Sequence, residues 1–166
     1  MDEMRILILS QEEAITYTET DKENEYVIIS ITENPAKPVK LTQNNSMLSV
    51  LRLYFDDIDL ECPEGIPMSQ KDAQDIQEFV DNWKDKVNTI IVHCAAGISR
   101  SAGVAAALSM VLNGNDNEIW DSKHYLPNTH CCSMVMKAFG MSLEDYCKQK
   151  YAHLCEELRK DEENDN

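Results

Sequence analysis

Thr89-Ile90-Ile91-Val92-His93-Cys94-Ala95-Ala96-Gly97-Ile98-Ser99-Arg100-Ser101-Ala102-Gly103-Val104-Ala105-Ala106-Ala107-Leu108 is the stretch around which the rest of the chain is organised. Thr89 to Val92 is short, apolar and β-branched, which predicts a buried strand, and the Ala-rich run from Ser101 to Leu112 predicts a buried helix. Between them, Cys94 and Arg100 bracket five small or polar residues. A loop of this size can turn several backbone N–H groups into one hollow at the helix N-terminus, which makes an anion nest. Arg100 adds a planar, two-pronged donor for phosphate oxygens. Cys94 at the loop floor feels the helix dipole, the N–H groups and the Arg charge, and all three favour thiolate over thiol. A strand feeding such a loop and helix is half of a βαβ unit. The expected fold is therefore α/β, with a central, mostly parallel sheet of about four or five strands flanked by helices and the loop at the carboxyl end of a central strand.

The flanking sequence supplies the other elements. Arg5 to Ser10, Tyr26 to Ile31 and Ser49 to Phe55 read as strands, and Tyr26-Val27-Ile28-Ile29-Ser30-Ile31 is apolar enough to be buried on both faces. Thr42 to Ser46 is polar and expected to be exposed. Gln11 to Tyr17 is a short helix, and Asn34-Pro35-Ala36-Lys37-Pro38 is a loop set by two prolines. Ser69 caps a helix in which Asp72 completes a box-like pattern and Ala73, Ile76, Phe79, Val80 and Trp83 form one apolar stripe. Asn113 to Asn117 ends the helix after the loop, and Gly103 in its first turn allows close packing. Pro127-Asn128 opens a helix through Phe139. Ser142 caps a last helix with Leu143, Tyr146, Cys147, Leu154 and Leu158 on one side. The expected organisation is one domain over residues 1–160, followed by an acidic, unstructured tail at 161–166.

A chain of 166 residues can bury a real core. With 43% hydrophobic and 27% charged residues it is globular in composition. The net charge of −15 argues against nucleic acid and against anionic membrane surfaces as partners. Met1-Asp2-Glu3-Met4 is acidic and Ile6-Leu7-Ile8-Leu9 is too short for the apolar part of a secretory leader. The six cysteines accordingly read as reduced thiols of a cytoplasmic protein. His124, His130, Cys131, Cys132 and His153 show neither Cys-x2-Cys nor His-x3-His spacing, so no metal is expected; core thiols and surface histidines are the reading.

The segment His93-Cys94-x5-Arg100-Ser101 resembles the signature loop of the cysteine-dependent protein tyrosine phosphatases, and Ala96-Gly97-Ile98-Ser99-Arg100-Ser101 is closest to their dual-specificity branch. Pro127-Asn128 before an apolar helix looks like that branch too. The resemblance implies hydrolysis of a phosphate monoester without cofactor or metal, through a phosphocysteine intermediate on Cys94. It implies that Arg100 and the loop residues Ala95, Ala96, Gly97, Ile98 and Ser99 hold the phosphate oxygens. The Ser101 hydroxyl would ease departure of the sulfur, and His93 would orient the loop from below. The family's general acid is an Asp on a loop some way before the Cys, often following an aromatic and an acidic residue. Phe55-Asp56-Asp57 fits, with Asp57 37 residues before Cys94, a little longer than is usual. Asp56 and Asp59 remain rivals. Cys62, just past this loop, is a candidate partner for an oxidised Cys94.

The implied substrate is a phosphorylated protein or small phosphomonoester. Phosphotyrosine comes first, and phosphoserine and phosphothreonine stay open because residues 1–50 carry no match to the segment that deepens tyrosine-only pockets. The loop has no Lys, which disfavours phosphoinositides. A monomer is the expectation. Two other classes stay open: a sulfurtransferase or arsenate-reductase type of Cys enzyme, and a phosphate-binding module without turnover.

Overall fold

The computed structural model describes residues 2–58 and 64–164. Four strands, β1 (Arg5–Leu9), β2 (Tyr26–Thr32), β3 (Met47–Tyr54) and β4 (Thr89–His93), form one sheet in the order β1-β4-β2-β3. Every pairing is parallel. The strand that leads into the Cys94 loop is thus an inner strand, with Ile29 paired to Val92 and Ser30 to His93.

Alternation along β2 explains how helices come to cover both faces. Val27, Ile29 and Ile31 join Ile90 and Val92 in the main core. Tyr26 and Ile28 turn the other way, into a smaller cluster with Ile91 and Met47, against which Tyr17 of α1 (Gln11–Thr18) packs. Both clusters use fully buried side chains, each stabilising by about 1.5–3 kcal/mol relative to exposure. Over the main core lie α2 (Gln70–Trp83), α3 (Arg100–Asn113) and α5 (Thr129–Ala138). Ser69 and Asp72 close a reciprocal capping box on α2, and Ala73, Ile76 and Val80 are its buried stripe. Residues 100 to 110 of α3 are all buried, as an Ala-rich helix apolar all round requires.

Several details depart from the sequence reading. Ser46 is buried, because its hydroxyl accepts from Lys22 N at 2.7 Å and donates to Lys22 O at 2.8 Å, settling the backbone of the preceding turn. A short helix, α4 (Asn117–Trp120), follows α3 where only a helix end was expected. The last helix, α6 (Leu143–Asn164), runs through the first four residues of the 161–166 segment that reads as unstructured tail; residues 165 and 166 lie outside the described ones. Of its expected apolar side, Tyr146 packs against the main core, while Leu143 and Leu154 are 75% and 52% exposed and the Leu158 side chain lies outside those described. Polar contacts anchor α6 as well. Buried Asp116 accepts from Trp120 Nε1 at 2.8 Å and from Tyr146 Oη at 3.1 Å, and pairs with Lys150 Nζ at 2.5 Å. Among the described residues no helix is long and apolar enough to cross a membrane.

Candidate active site

The loop after β4 is shaped by a glycine and by its neighbour strand. Gly97 has φ +69°, and a Cβ there would lie 2.6 Å from Ser10 N, so only glycine lets the loop close on the end of β1. Gln11 N donates to Ala95 O at 3.1 Å across the same contact. Ala95 and Ala96 face solvent, Ile98 and Ser99 are half-buried, and Gly97 is buried. Ser99 begins α3 without capping it by its side chain. The first N–H groups of the helix are therefore not consumed by a Ser99 cap, which suits an incoming anion.

Cys94 is 2% exposed, and its Sγ lies 3.0 Å from Ser101 Oγ. Burial alone pushes the thiol up. Hydrogen bonds from the Ser101 hydroxyl and from the N–H groups of Ser101 and Gly97, with the Arg100 charge behind them, outweigh burial and bring it below its ordinary value. Below the loop, His93 is fully buried. Its Nδ1 is 3.3 Å from Cys94 O and its Nε2 2.6 Å from Ser30 Oγ. A carbonyl only accepts, so Nδ1 carries the proton and Nε2 accepts from Ser30. Burial, with Arg52 and Arg100 adding to it, pushes the ring below its usual value and keeps it neutral.

Arg100 is 4% exposed. One Nη donates to Phe55 O at 2.9 Å and the other pairs with Glu33 at 2.5 Å. Its buried Nε has no partner among the described residues. A buried unpaired donor costs about 1–3 kcal/mol, so an acceptor brought by a ligand is favoured there. Glu33 was not anticipated. It follows β2, and only the β2–β4 register brings it to Arg100.

The two described acidic candidates are separated by their bonds. Asp56 braces its own loop: Ile66 N donates to Asp56 Oδ2 at 2.7 Å, and Asp56 N to Ile66 O at 2.7 Å. Asp57 is exposed and turned to the Cys94 loop, where Ser99 Oγ donates to its Oδ1 at 2.8 Å and Asn128 Nδ2 at 3.0 Å. Asp59 and Cys62 lie outside the described residues. Asp57, Ile58, Ser99, Leu126, Pro127, Asn128 and Thr129 line a recess of about 290 Å³ beside the loop. A larger hollow of about 510 Å³ runs along β1, away from Cys94. Anion chemistry needs converging donors rather than volume, so the recess beside the loop is the relevant one. Of the residues weighed as metal ligands, His130 Nε2 bonds Met68 O at 2.9 Å, while Cys131 and Cys132 are buried, free thiols.

A parallel α/β sheet that delivers a Cys-x5-Arg loop onto a helix N-terminus defines a class of cysteine-loop proteins, and comparison narrows it. The family model described as dual specificity phosphatase, catalytic domain, matches residues 7–122. The chain belongs to that family. A probable dual specificity protein phosphatase of Dictyostelium discoideum is 30% identical over 138 residues, which cover 80% of this chain and 56% of that protein. The chain thus spans little more than half the length of that curated relative. Two solved structures share the fold. A mouse putative dual specificity phosphatase complexed with zinc tungstate has a TM-score of 0.54 at 14% identity, covering 80% of each chain. The human tyrosine phosphatase-like serine/threonine/tyrosine-interacting protein has a TM-score of 0.50 at 22% identity, covering 70% of this chain and 77% of that one.

Proposed function

We propose that residues 1–160 form a single phosphatase domain that hydrolyses phosphate monoesters through a phosphocysteine intermediate, as a protein tyrosine or dual-specificity phosphatase. The observation that carries the reading is Cys94, its thiol held below the ordinary value beside buried Arg100 at the start of α3. The Cys94 thiolate attacks phosphorus in line; the S–P bond forms as the P–O bond to the leaving group breaks. Arg100 and the N–H groups of the 95–100 loop take the equatorial oxygens. Asp57 gives its proton to the leaving oxygen, then accepts one from the water that cleaves the S–P bond. The Ser101 hydroxyl, 3.0 Å from Sγ, stabilises the thiolate that departs in this second step. His93 shapes the loop and, buried and bonded on both nitrogens, takes no part as a base.

Phosphotyrosine is the first substrate to test. A shallow recess and exposed Ala95 and Ala96 also suit the shorter phosphoserine and phosphothreonine. The five described free cysteines agree with a reducing, cytoplasmic setting. The Ser101 bond to Sγ and an Asp at the loop speak against the sulfurtransferase and arsenate-reductase alternatives. The test is hydrolysis of p-nitrophenyl phosphate in the presence of a chelator, beside thiosulfate and arsenate assays. Wild-type protein should turn over the phosphate ester alone. Cys94→Ser should abolish turnover while vanadate still binds, and a Cys94→Ser variant with wild-type turnover would sink the mechanism.

A further inference from the structure

We infer that Asn128 positions the Asp57 carboxyl over the Cys94 loop, holding Oδ1 so that Oδ2 is the oxygen that carries the transferred proton; the inference rests on the reading of Asp57 as general acid. Asn128 is placed by all of its polar groups. Its backbone N–H donates to Ser99 O at 3.0 Å and its carbonyl accepts from Cys132 N at 3.1 Å. Its Oδ1 accepts from Cys131 N at 3.0 Å and so caps α5. Its Nδ2 spends its two protons on Asp57 Oδ1 at 3.0 Å and Ile58 O at 3.3 Å. The amide cannot be turned round, because an N–H of α5 faces one end and a carboxylate and a carbonyl face the other.

Among the described residues, the two side-chain donors that reach Asp57, from Asn128 and Ser99, land on the same oxygen. Oδ1 is thereby committed as an acceptor. Oδ2 has no partner among the described residues, so the protonated acid places its O–H there. In the first step the Oδ2–H bond breaks and that proton joins the electron pair left on the departing oxygen. In the second step a water proton returns to Oδ2. The same two residues tie the acid to the loop that holds the nucleophile: Ser99 belongs to that loop, and Asn128 bonds its backbone. The acid and the nucleophile thus share one frame, which orientation-dependent proton transfer requires.

Asn128→Asp separates positioning from structure. It keeps an acceptor for Cys131 N and so keeps the cap, but it replaces the Nδ2 donor with an oxygen that repels Asp57. The readout is the ratio of kcat on phosphotyrosine, a poor leaving group, to kcat on an activated aryl phosphate that leaves unaided. Asn128→Asp should lower this ratio by about tenfold or more, part of the ~10²–10⁴-fold typical of general acid catalysis, with KM little changed. Combined with Asp57→Asn it should lower the ratio no further than Asp57→Asn alone. Ser99→Ala, which removes the other donor and leaves the α5 cap untouched, should lower the ratio too, and it decides the matter if Asn128→Asp does not fold. Equal losses on both substrates, or losses additive with Asp57→Asn, overturn the positioning role. An unchanged ratio in Asp57→Asn itself overturns the acid assignment and this inference together. A fall in Asp57→Asn unaccompanied by one in either partner variant overturns this inference alone.

Discussion

Cys94, Cys131 and Cys132 are each no more than 2% exposed, yet their thiols move in opposite directions. Burial pushes Cys131 and Cys132 up to about 12, whereas at Cys94 the Ser101 hydroxyl, two backbone N–H groups and Arg100 reverse the effect of burial. The donors gathered around the sulfur, not exposure and not a helix start alone, decide reactivity, since Cys131 and Cys132 lie in the first turn of α5. Cys94 should therefore be carboxymethylated by iodoacetate at a pH where Cys131 and Cys132 are inert, and vanadate should protect it. Ser101→Ala deletes one of the bonds that lower the thiol, so its alkylation profile should shift to higher pH. A profile superimposable on wild type would remove Ser101 from the account. In catalysis the same variant should slow the second step more than the first and produce a burst of released alcohol. The closeness of Cys94 to Arg100 was legible in the sequence because their relation is local, seven residues of one loop. Glu33 was not: nothing in Thr32-Glu33-Asn34 points to Arg100 until the strand order is known. Asp57 lay between; the aromatic–acid–acid run selected it, but only its bonds to Ser99 and Asn128 separate it from Asp56.

At the scale of elements, the joint between α3 and α5 holds the loop in place. A Cβ on Gly103 would sit 2.4 Å from Asn128 O and 3.1 Å from Asn128 N, both backbone atoms that cannot swing aside. Gly103→Ala must therefore push α5 off α3. Overpacking of this kind costs about 1–3 kcal/mol, to be read as a fall in urea midpoint at unchanged slope. The displaced atoms belong to Asn128, so phosphatase activity should fall further than stability does, on folded protein well below the midpoint. A fully active Gly103→Ala would show that the joint is looser than these distances imply. The capping box at Ser69 and Asp72 was readable because it depends on residue types within one helical turn, and a glycine in an otherwise Ala-rich turn marked the close approach at Gly103 without showing that its partner is Asn128. The burial of Ser46 was not readable, since its partner, Lys22, belongs to a different turn. Nor was the short helix α4, which a four-residue pattern cannot announce.

Taken as a whole, the molecule spreads 30 acidic against 15 basic residues over a core whose titratable groups are mostly thiols and phenols. The sheet was legible throughout because runs such as Tyr26 to Ile31 admit only one environment. The contact of α6 with Asp116 was not legible, because composition assigns an acidic residue to the surface. The buried thiols give the fold a distinctive alkaline limit. Burial first and the Asp116 charge second push the Cys132 thiol from its ordinary 9.0 up to about 12 in the folded chain. Above pH 9 the unfolded chain gives up a proton that the folded chain keeps, so this contribution is whole below 9 and is lost as pH rises toward 12. Cys94 has the opposite sign: its folded thiol lies below 9.0, so its contribution grows as pH rises and is complete above that value. Above pH 9 the losses from Cys131 and Cys132 grow while the gain from Cys94 levels off. Each buried thiol should steepen the fall by about 1.4 kcal/mol per pH unit at most. Cys132→Val removes one such proton while keeping a side chain of similar volume. Unfolding free energies from urea titrations at pH 8, 9, 9.5 and 10 should fall less steeply for Cys132→Val than for wild type. The difference between the two curves should change little well below pH 9 and then shift steadily against the wild type. Parallel curves across that interval would mean that the Cys132 thiol ionises in the folded protein as readily as in the unfolded chain, and that water reaches it.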